Sequence, residues 1–243
     1  MLTNIKQSLR SNFSNDGFER DFKGQLEDLC ALAGREGIRI RPHSEKSWAK
    51  FLELDSERQL DAVANFELYR SVCAAAIDDG RALTDDVSLL WHVIKKMELR
   101  PRSDLFDKLS ADDVIEIYDA SFIQIFRNFK FFDICSYSLA DIFMYEWRDL
   151  YIREPAVTAR MAQQGIAVFS GQVQGTVPVN VDDHFLEEAF GPLKLKMKMR
   201  AKYFSPLYNK QNEVAAVVAT SCVDVIGTKA AETEASRRPL ELV

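Results

Sequence analysis

The sequence predicts an α+β fold: an N-terminal helical bundle, then an antiparallel sheet accompanied by short helices. Three stretches predict it. Leu193 to Tyr203 alternates without a break, with Leu193, Leu195, Met197, Met199, Ala201 and Tyr203 on one parity and Lys194, Lys196, Lys198, Arg200 and Lys202 on the other. A strand sends successive side chains to opposite faces, so this is a ribbon with one buried and one wet face. A helix would scatter the same lysines around its circumference. Val214 to Val223 is apolar on both parities, as a strand covered on both faces would be. Residues 1–110 instead place apolar residues three and four apart, the spacing of amphipathic helices.

Taken in order, Phe18, Phe22, Leu26, Leu29 and Ala33 form a first helical stripe, ended by Gly34 and Gly37. Ile38 to Pro42 reads as a short extended crossing. Ser56 is placed to cap a long helix with Leu60, Val63, Ala64, Val72, Cys73, Ala76 and Ile77 inward and Asp78-Asp79-Gly80 closing it. Thr84 is placed to cap another, whose stripe is Val87, Leu90, Trp91, Ile94 and Met97, with Asp85 and Asp86 in the favourable first turn. Such helices cannot bury their stripes alone; they need each other, the following sheet or another subunit. Pro101 discourages helix before it, so Arg100 to Ser103 is the expected boundary. This gives a helical domain over residues 1–103 for dimerisation or partner binding, a sheet domain over 104–237 and a tail over 238–243.

A short helix is expected from Asp104 to Leu109. Val114 to Tyr118, Asp119-Ala120-Ser121, and Phe122 to Phe126 then read as strand, turn, strand. Arg127-Asn128 leads into an aromatic stretch, Phe129 to Tyr137. Arg153 to Gln164 is a helix candidate stopped at Gly165, with Ile166 to Phe169 and residues 172–181 as strand or loop. Asp182 to Glu188 is an acidic connection. Beyond the alternating strand, Phe204 to Leu207 continues it and Tyr208 to Glu213 is a polar turn. After Asp224, Val225 to Arg238 is expected to leave the sheet as a polar helix or to fray.

Over about residues 113–237 this order resembles a PAS sensor domain. The resemblance is carried by the opening hairpin ending at Asn128 and its aromatic helix, and by Ser136-Tyr137-Ser138-Leu139-Ala140-Asp141-Ile142 where the family has Gly-Tyr-Ser-x-Glu-Glu-Leu. Trp147, Ser205-Pro206 late in the long strand, and Asp224 with Val225 to Thr228 in place of the family's Asp-Ile-Thr complete it. Ser136 for Gly and the spread of the last motif are departures. The resemblance implies an antiparallel five-stranded sheet around short helices, often with a small-molecule cavity between them. Phe132, Cys135, Trp147 and Met161 from the helices and Leu195, Met197, Met199 and Tyr203 from the sheet would line that cavity, or simply fill it. The family's photochemical Asn-Cys-Arg-Phe-Leu run is absent, and Arg153 to Gln164 lacks the histidine of haem-binding members, so no cofactor is expected.

Lys194, Lys196, Lys198, Arg200 and Lys202 are the candidate partner-binding residues: a docking face for an acidic helix or subunit, or a solvated face that discourages edge pairing. The net charge is −6, with 17 cations against 19 anions in residues 1–110 and 14 against 18 in the remainder, so neither half is a basic nucleic-acid module. No apolar run is long enough to span a bilayer, and Lys6 and Arg10 are not followed by a signal-peptide core, so a cytosolic protein without membrane contact is expected. Cys30, Cys73, Cys135 and Cys222 lie far apart among apolar neighbours and read as buried thiols, with no metal-ligand spacing. The pairs Asp112-Asp113, Asp182-Asp183 and Glu187-Glu188 suit solvated turns, and no nucleophile elbow or phosphate-binding loop accompanies His43, His92 and His184. No enzyme is therefore expected, a cone-shaped α+β enzyme being the one catalytic alternative. The functional expectation is a cytosolic PAS-type sensory or regulatory protein without its own catalytic output domain, acting on a protein partner or as a homodimer. The alternative is an interaction adaptor with a filled core.

Overall fold

The computed structural model describes residues 15–228, with side chains from residue 19. The expectations for Lys6, Arg10, the Phe18 side chain, the chain from 229 to 237 and the tail lie outside the described residues. Four helices come first: α1 (Asn15–Arg35), α2 (Glu45–Glu53), α3 (Ser56–Asp78) and α4 (Asp86–Lys96). Phe22, Leu26, Leu29 and Ala33 bury the face of α1 as their spacing predicts. Gly37, at φ 82°, then turns the chain so that the Ile38 N–H reaches the Ala33 carbonyl at 3.0 Å. The short helix α2 is an addition to the expected set; Ser44 caps it through a reciprocal box with Ser47.

Two caps sit one residue from their expected places. Asp55 rather than Ser56 caps α3, accepting from the Arg58 N–H at 2.8 Å, and Asp85 rather than Thr84 caps α4, accepting from the Ser88 N–H at 3.1 Å. The α4 stripe is rotated accordingly. Leu89, Leu90, Val93 and Ile94 are buried, while Val87 and Trp91 are 47% and 50% exposed. Asp86, the first residue of α4, is half-buried beside Asn128, with one carboxylate oxygen lacking a partner. Burial pushes its carboxyl up to about 6 from an ordinary 3.8. A carboxyl raised on folding favours the native state fully below the unfolded value and loses that contribution as pH rises through the folded one. Asp86→Asn is therefore expected to stabilise the protein at pH 7.5 by about 1 kcal/mol, a figure discounted for the solvent that reaches the group. It should also flatten the melting-temperature profile between about pH 4 and pH 6; an unchanged profile in calorimetry would refute this.

The remaining elements are β1 (Arg100–Pro101), a 3₁₀ turn at Phe106–Lys108, β2 (Val114–Asp119), β3 (Gln124–Arg127), α5 (Phe131–Ile134), α6 (Leu139–Met144), α7 (Trp147–Leu150), β4 (Tyr151–Arg153), α8 (Pro155–Phe169), β5 (Val177–Pro178), β6 (His184–Glu188), β7 (Leu195–Tyr208) and β8 (Val214–Thr228). The fold is α+β, and its strands pair antiparallel in the order β3-β2-β8-β7-β6-β4. Among the described residues eight strands replace the expected five, because the second edge of β7 is covered in relay and β4 adds to the outer edge of β6. His184 to Glu187 pair with Lys196 to Met199, Val177 and Pro178 with Phe204 and Tyr203, and Arg100 and Pro101 with Tyr208 and Leu207. The stretch expected as a boundary is thus hydrogen-bonded into the sheet.

Three local expectations are corrected. The chain does not leave the sheet after Asp224: β8 runs to Thr228 because the first residues of β7 need a partner, Asp224 facing Lys198 and Gly227 facing Lys196. Gly165 does not stop a helix either, and Ile166 to Phe169 are helical. The Phe122 ring lies 3.1 Å from where a Cβ on Gly165 would stand, so the glycine makes room for an aromatic side chain. Phe122 itself belongs to the β2–β3 turn, at φ 59°, where Asp119 accepts the N–H groups of Ser121 and Ile123 at 2.9 Å.

The sheet is covered on both faces, which is why β8 is apolar on both parities. Ala216 and Val218 join Ile115, Ile117 and Leu207 in the core of the N-terminal helices, whereas Val217 and Ala219 join Met197, Met199 and Phe204 under α8. Aromatic side chains bind the two halves. Phe66 meets Phe143 edge-on at 5.1 Å, and Tyr69 stacks on Phe129 at 5.4 Å while its hydroxyl donates to the Arg127 carbonyl. The crossing before α2 also completes a helix end: the Leu139 and Ala140 N–H groups, unsatisfied within α6, donate to the Arg41 and Pro42 carbonyls at 2.8 and 3.0 Å. No helix among the described residues is long and apolar enough to cross a membrane.

Candidate functional site: a cavity with two arginines

Between α7, α8 and the sheet face formed by β2, β3, β6, β7 and β8 lies a cavity of about 80 Å³. Its walls are mainly apolar, with Trp147, Met161, Phe169, Met197, Met199 and Phe204 among them. Three charged side chains interrupt this lining: Glu116, Arg127 and Arg153. Strand alternation brings Glu116 inward, since Ile115 and Ile117 on the other parity are committed to the helical core. β3 and β4 supply the two arginines.

The Arg127 side chain is 2% exposed and pairs through Nη2 with the Glu116 carboxylate, itself 13% exposed. The centre of its guanidinium sits 3.6 Å from the centroid of the Phe131 ring. Burial works against the charge and is the largest single influence, but Glu116 together with Tyr118, Tyr151 and Cys135 outweighs it and holds the guanidinium above its usual range. Arg153 lies 5.3 Å from the Trp147 ring centroid, and its Nη2 reaches the Met199 sulfur at 3.5 Å. Burial lowers this second guanidinium from its ordinary value, only partly offset by the charge of Glu116. Nε and Nη1 of Arg127, Nε of Arg153, the Tyr151 hydroxyl and the Thr220 hydroxyl are all buried without a hydrogen-bond partner. Burial and the charge of Arg153 lower His184, whose Nδ1 meets the Asp182 carbonyl at 3.0 Å and whose Nε2 is unpartnered.

Of the residues expected at a ligand site, Trp147, Met161, Met197 and Met199 line the cavity; Phe132, Cys135, Leu195 and Tyr203 do not. Tyr203 is displaced by a bulge: Ala201 pairs with Ser221 and Tyr203 with Thr220, so Lys202 is the extra residue and the alternation slips by one. Phe204 takes the inward position, and the Lys108 ammonium lies 5.7 Å from the Tyr203 ring. Leu195 sits beyond the cavity, its N–H donating to Glu188 at 3.1 Å. Phe132 packs on Phe129 and Phe131. Cys135 is held near the same core, its thiol pushed up to about 12 by burial. Among the described residues, no group of histidine, cysteine and carboxylate side chains is placed to hold a metal.

The cationic row is divided by the same bulge. Lys198 and Arg200 stand on the outer face opposite Asp224 and Cys222, with Lys198 paired to Asp183 at 3.1 Å. Lys196 faces Glu187 across the strand pair. Lys194 precedes the strand at φ 50° and donates to the Ala189 carbonyl. Lys202 turns to Asp113, at 2.6 and 2.8 Å from the two carboxylate oxygens. Two of the acidic pairs expected in solvated turns therefore hold a buried member. Asp113 also accepts from Ser110, and Glu188 accepts from the Ser136 N–H and hydroxyl at 2.5 Å each. Gly191 is required there, because a Cβ would fall 2.2 Å from a Glu188 oxygen. Glu116, Arg127 and Arg153 escaped the sequence reading, although a charge flanked by Val114, Ile115 and Ile117, and another ending the apolar run to Phe126, were the signal available.

Neither a family model nor a curated protein matches the chain. Among solved structures, a sensory box sensor histidine kinase from Vibrio cholerae aligns over 51% of this chain and 90% of that chain, at 13% identity and a TM-score of 0.33. An RNA-binding Light-Oxygen-Voltage receptor aligns over 90% of this chain and 62% of that one, at 14% identity and a TM-score of 0.32. Similarity at this level leaves function to be argued from the cavity itself.

Proposed function

We propose that the chain is a PAS-type sensory or regulatory protein that binds a small ligand in the cavity and passes its occupancy to a protein partner or a second copy of itself. The observation that carries this is a mainly apolar cavity holding charged groups with unused hydrogen-bonding capacity, a costly arrangement unless a ligand completes it. A coupling element is at hand. Arg127 touches the cavity with its side chain and α3 with its backbone, through the Tyr69 hydroxyl, so a shift of β3 on ligand binding bears on the N-terminal helices. The reading includes no flavin: the cavity is small for an isoalloxazine ring and none of the described cysteines lines it. It includes no catalytic step.

Native mass spectrometry of the purified protein, with melting temperatures across a metabolite panel, tests the reading. A bound species or a selective rise in melting temperature is expected. A folded protein that retains nothing and responds to nothing would eliminate the ligand role and leave the adaptor reading, in which the three methionines Met161, Met197 and Met199 close the interior.

A further inference from the structure

We infer that the cavity takes a small organic monoanion with an apolar body, a short monocarboxylate, held between Arg127 and Arg153. This rests on the ligand-binding reading above and names the chemical class of the ligand. Two guanidinium groups face one carboxylate, Glu116, so the lining carries one uncompensated positive charge. A buried charge without a partner is costly, and one negative charge balances it. A dianion would reverse the imbalance among apolar walls. Nε and Nη1 of Arg127 and Nε of Arg153 are the donors left unused. Guanidinium N–H groups match the two oxygens of a carboxylate, and such charge-assisted bonds are stronger than neutral ones. The Tyr151 and Thr220 hydroxyls, also unpartnered, supply further polar contacts.

Both arginines are supported for this task. Phe131 and Trp147 lie against their guanidinium groups at 3.6 and 5.3 Å, which limits rotation of each planar group before any ligand arrives. The rest of the lining is apolar, with Met161, Met197 and Val217 among it, and asks for hydrocarbon. A cavity of about 80 Å³ admits a molecule of several non-hydrogen atoms.

The test is calorimetric titration and melting of the full chain in chloride buffer, with propionate and butyrate against their neutral isosteres propionamide and butyramide. The carboxylates are expected to bind at least ~10-fold more tightly than the amides. Arg153→Gln should abolish that preference while unfolding as cooperatively as the parent, since among the described residues its guanidinium has only the Met199 sulfur as a hydrogen-bonding contact. Equal binding of acids and amides, or a preference that survives in Arg153→Gln, overturns the anion assignment and leaves the cavity a ligand site of another kind. Absence of binding by all four overturns the assignment as well. The metabolite panel then decides the ligand reading separately.

Discussion

Replacing Arg127 by methionine is expected to cost about 3–5 kcal/mol of folding stability, and replacing Arg127 and Glu116 together by methionine should recover most of it. The two side chains are 2% and 13% exposed and pair directly. Removing the guanidinium leaves a mostly buried carboxylate without the side chain that bonds it directly. Removing both leaves thioether side chains in a space already shared by Met161, Met197 and Met199, which adapt readily to irregular gaps. Urea unfolding of the two single variants and the double variant measures the coupling as a double-mutant cycle. Costs that simply add would show that the pair is not a coupled buried unit.

Lys202→Met should be the most damaging change in the cationic row, at about 3–5 kcal/mol, while Asp113→Asn costs less. The asymmetry follows from burial. Asp113 is fully buried, whereas the Lys202 side chain is 18% exposed. Without the lysine, the carboxylate keeps, among the described residues, only the Ser110 N–H and hydroxyl, each at 2.9 Å, and a weak thiol contact from Cys222 at 3.4 Å. Without the carboxylate's charge, the lysine can extend toward solvent, and the asparagine still accepts from Ser110. The site matters because the Asp113 carbonyl also accepts from the Asn128 side chain at 2.8 Å, tying the bulge in β7 to the start of β2 and the end of β3. Equal losses in the two variants, or a Lys202→Met protein as stable as the parent, would contradict this account.

The alternation from Leu193 onward was sufficient to place a strand, since a period of two fits the pleat of extended backbone and not the 3.6-residue turn of a helix. The two-sided apolar run in Val214–Val223 likewise required a covered strand, and β8 is one. The helical half was legible from its spacing, although caps moved by one residue and α4 turned its stripe. Capping depends on which of several adjacent polar residues finds a free N–H group, and Asp55 beside Ser56, or Asp85 beside Thr84, is a choice settled by local geometry. Four of the eight expected ligand-site residues line the cavity. The bulge at Lys202 removed Tyr203 from it and brought in Phe204.

By itself the sequence determined the fold class, the long hairpin of β7 and β8, and an apolar interior near Met197 and Met199. Tertiary structure alone decided that Arg127 and Arg153 share a cavity with a single carboxylate, that Lys202 belongs to Asp113, and that the N-terminal helices cover the far face of the sheet. Periodicity reports which way a side chain points from its own strand or helix. Charge balance in a buried space depends on which strands become neighbours, and β2, β3 and β4 are brought around one cavity by pairings that no local pattern records.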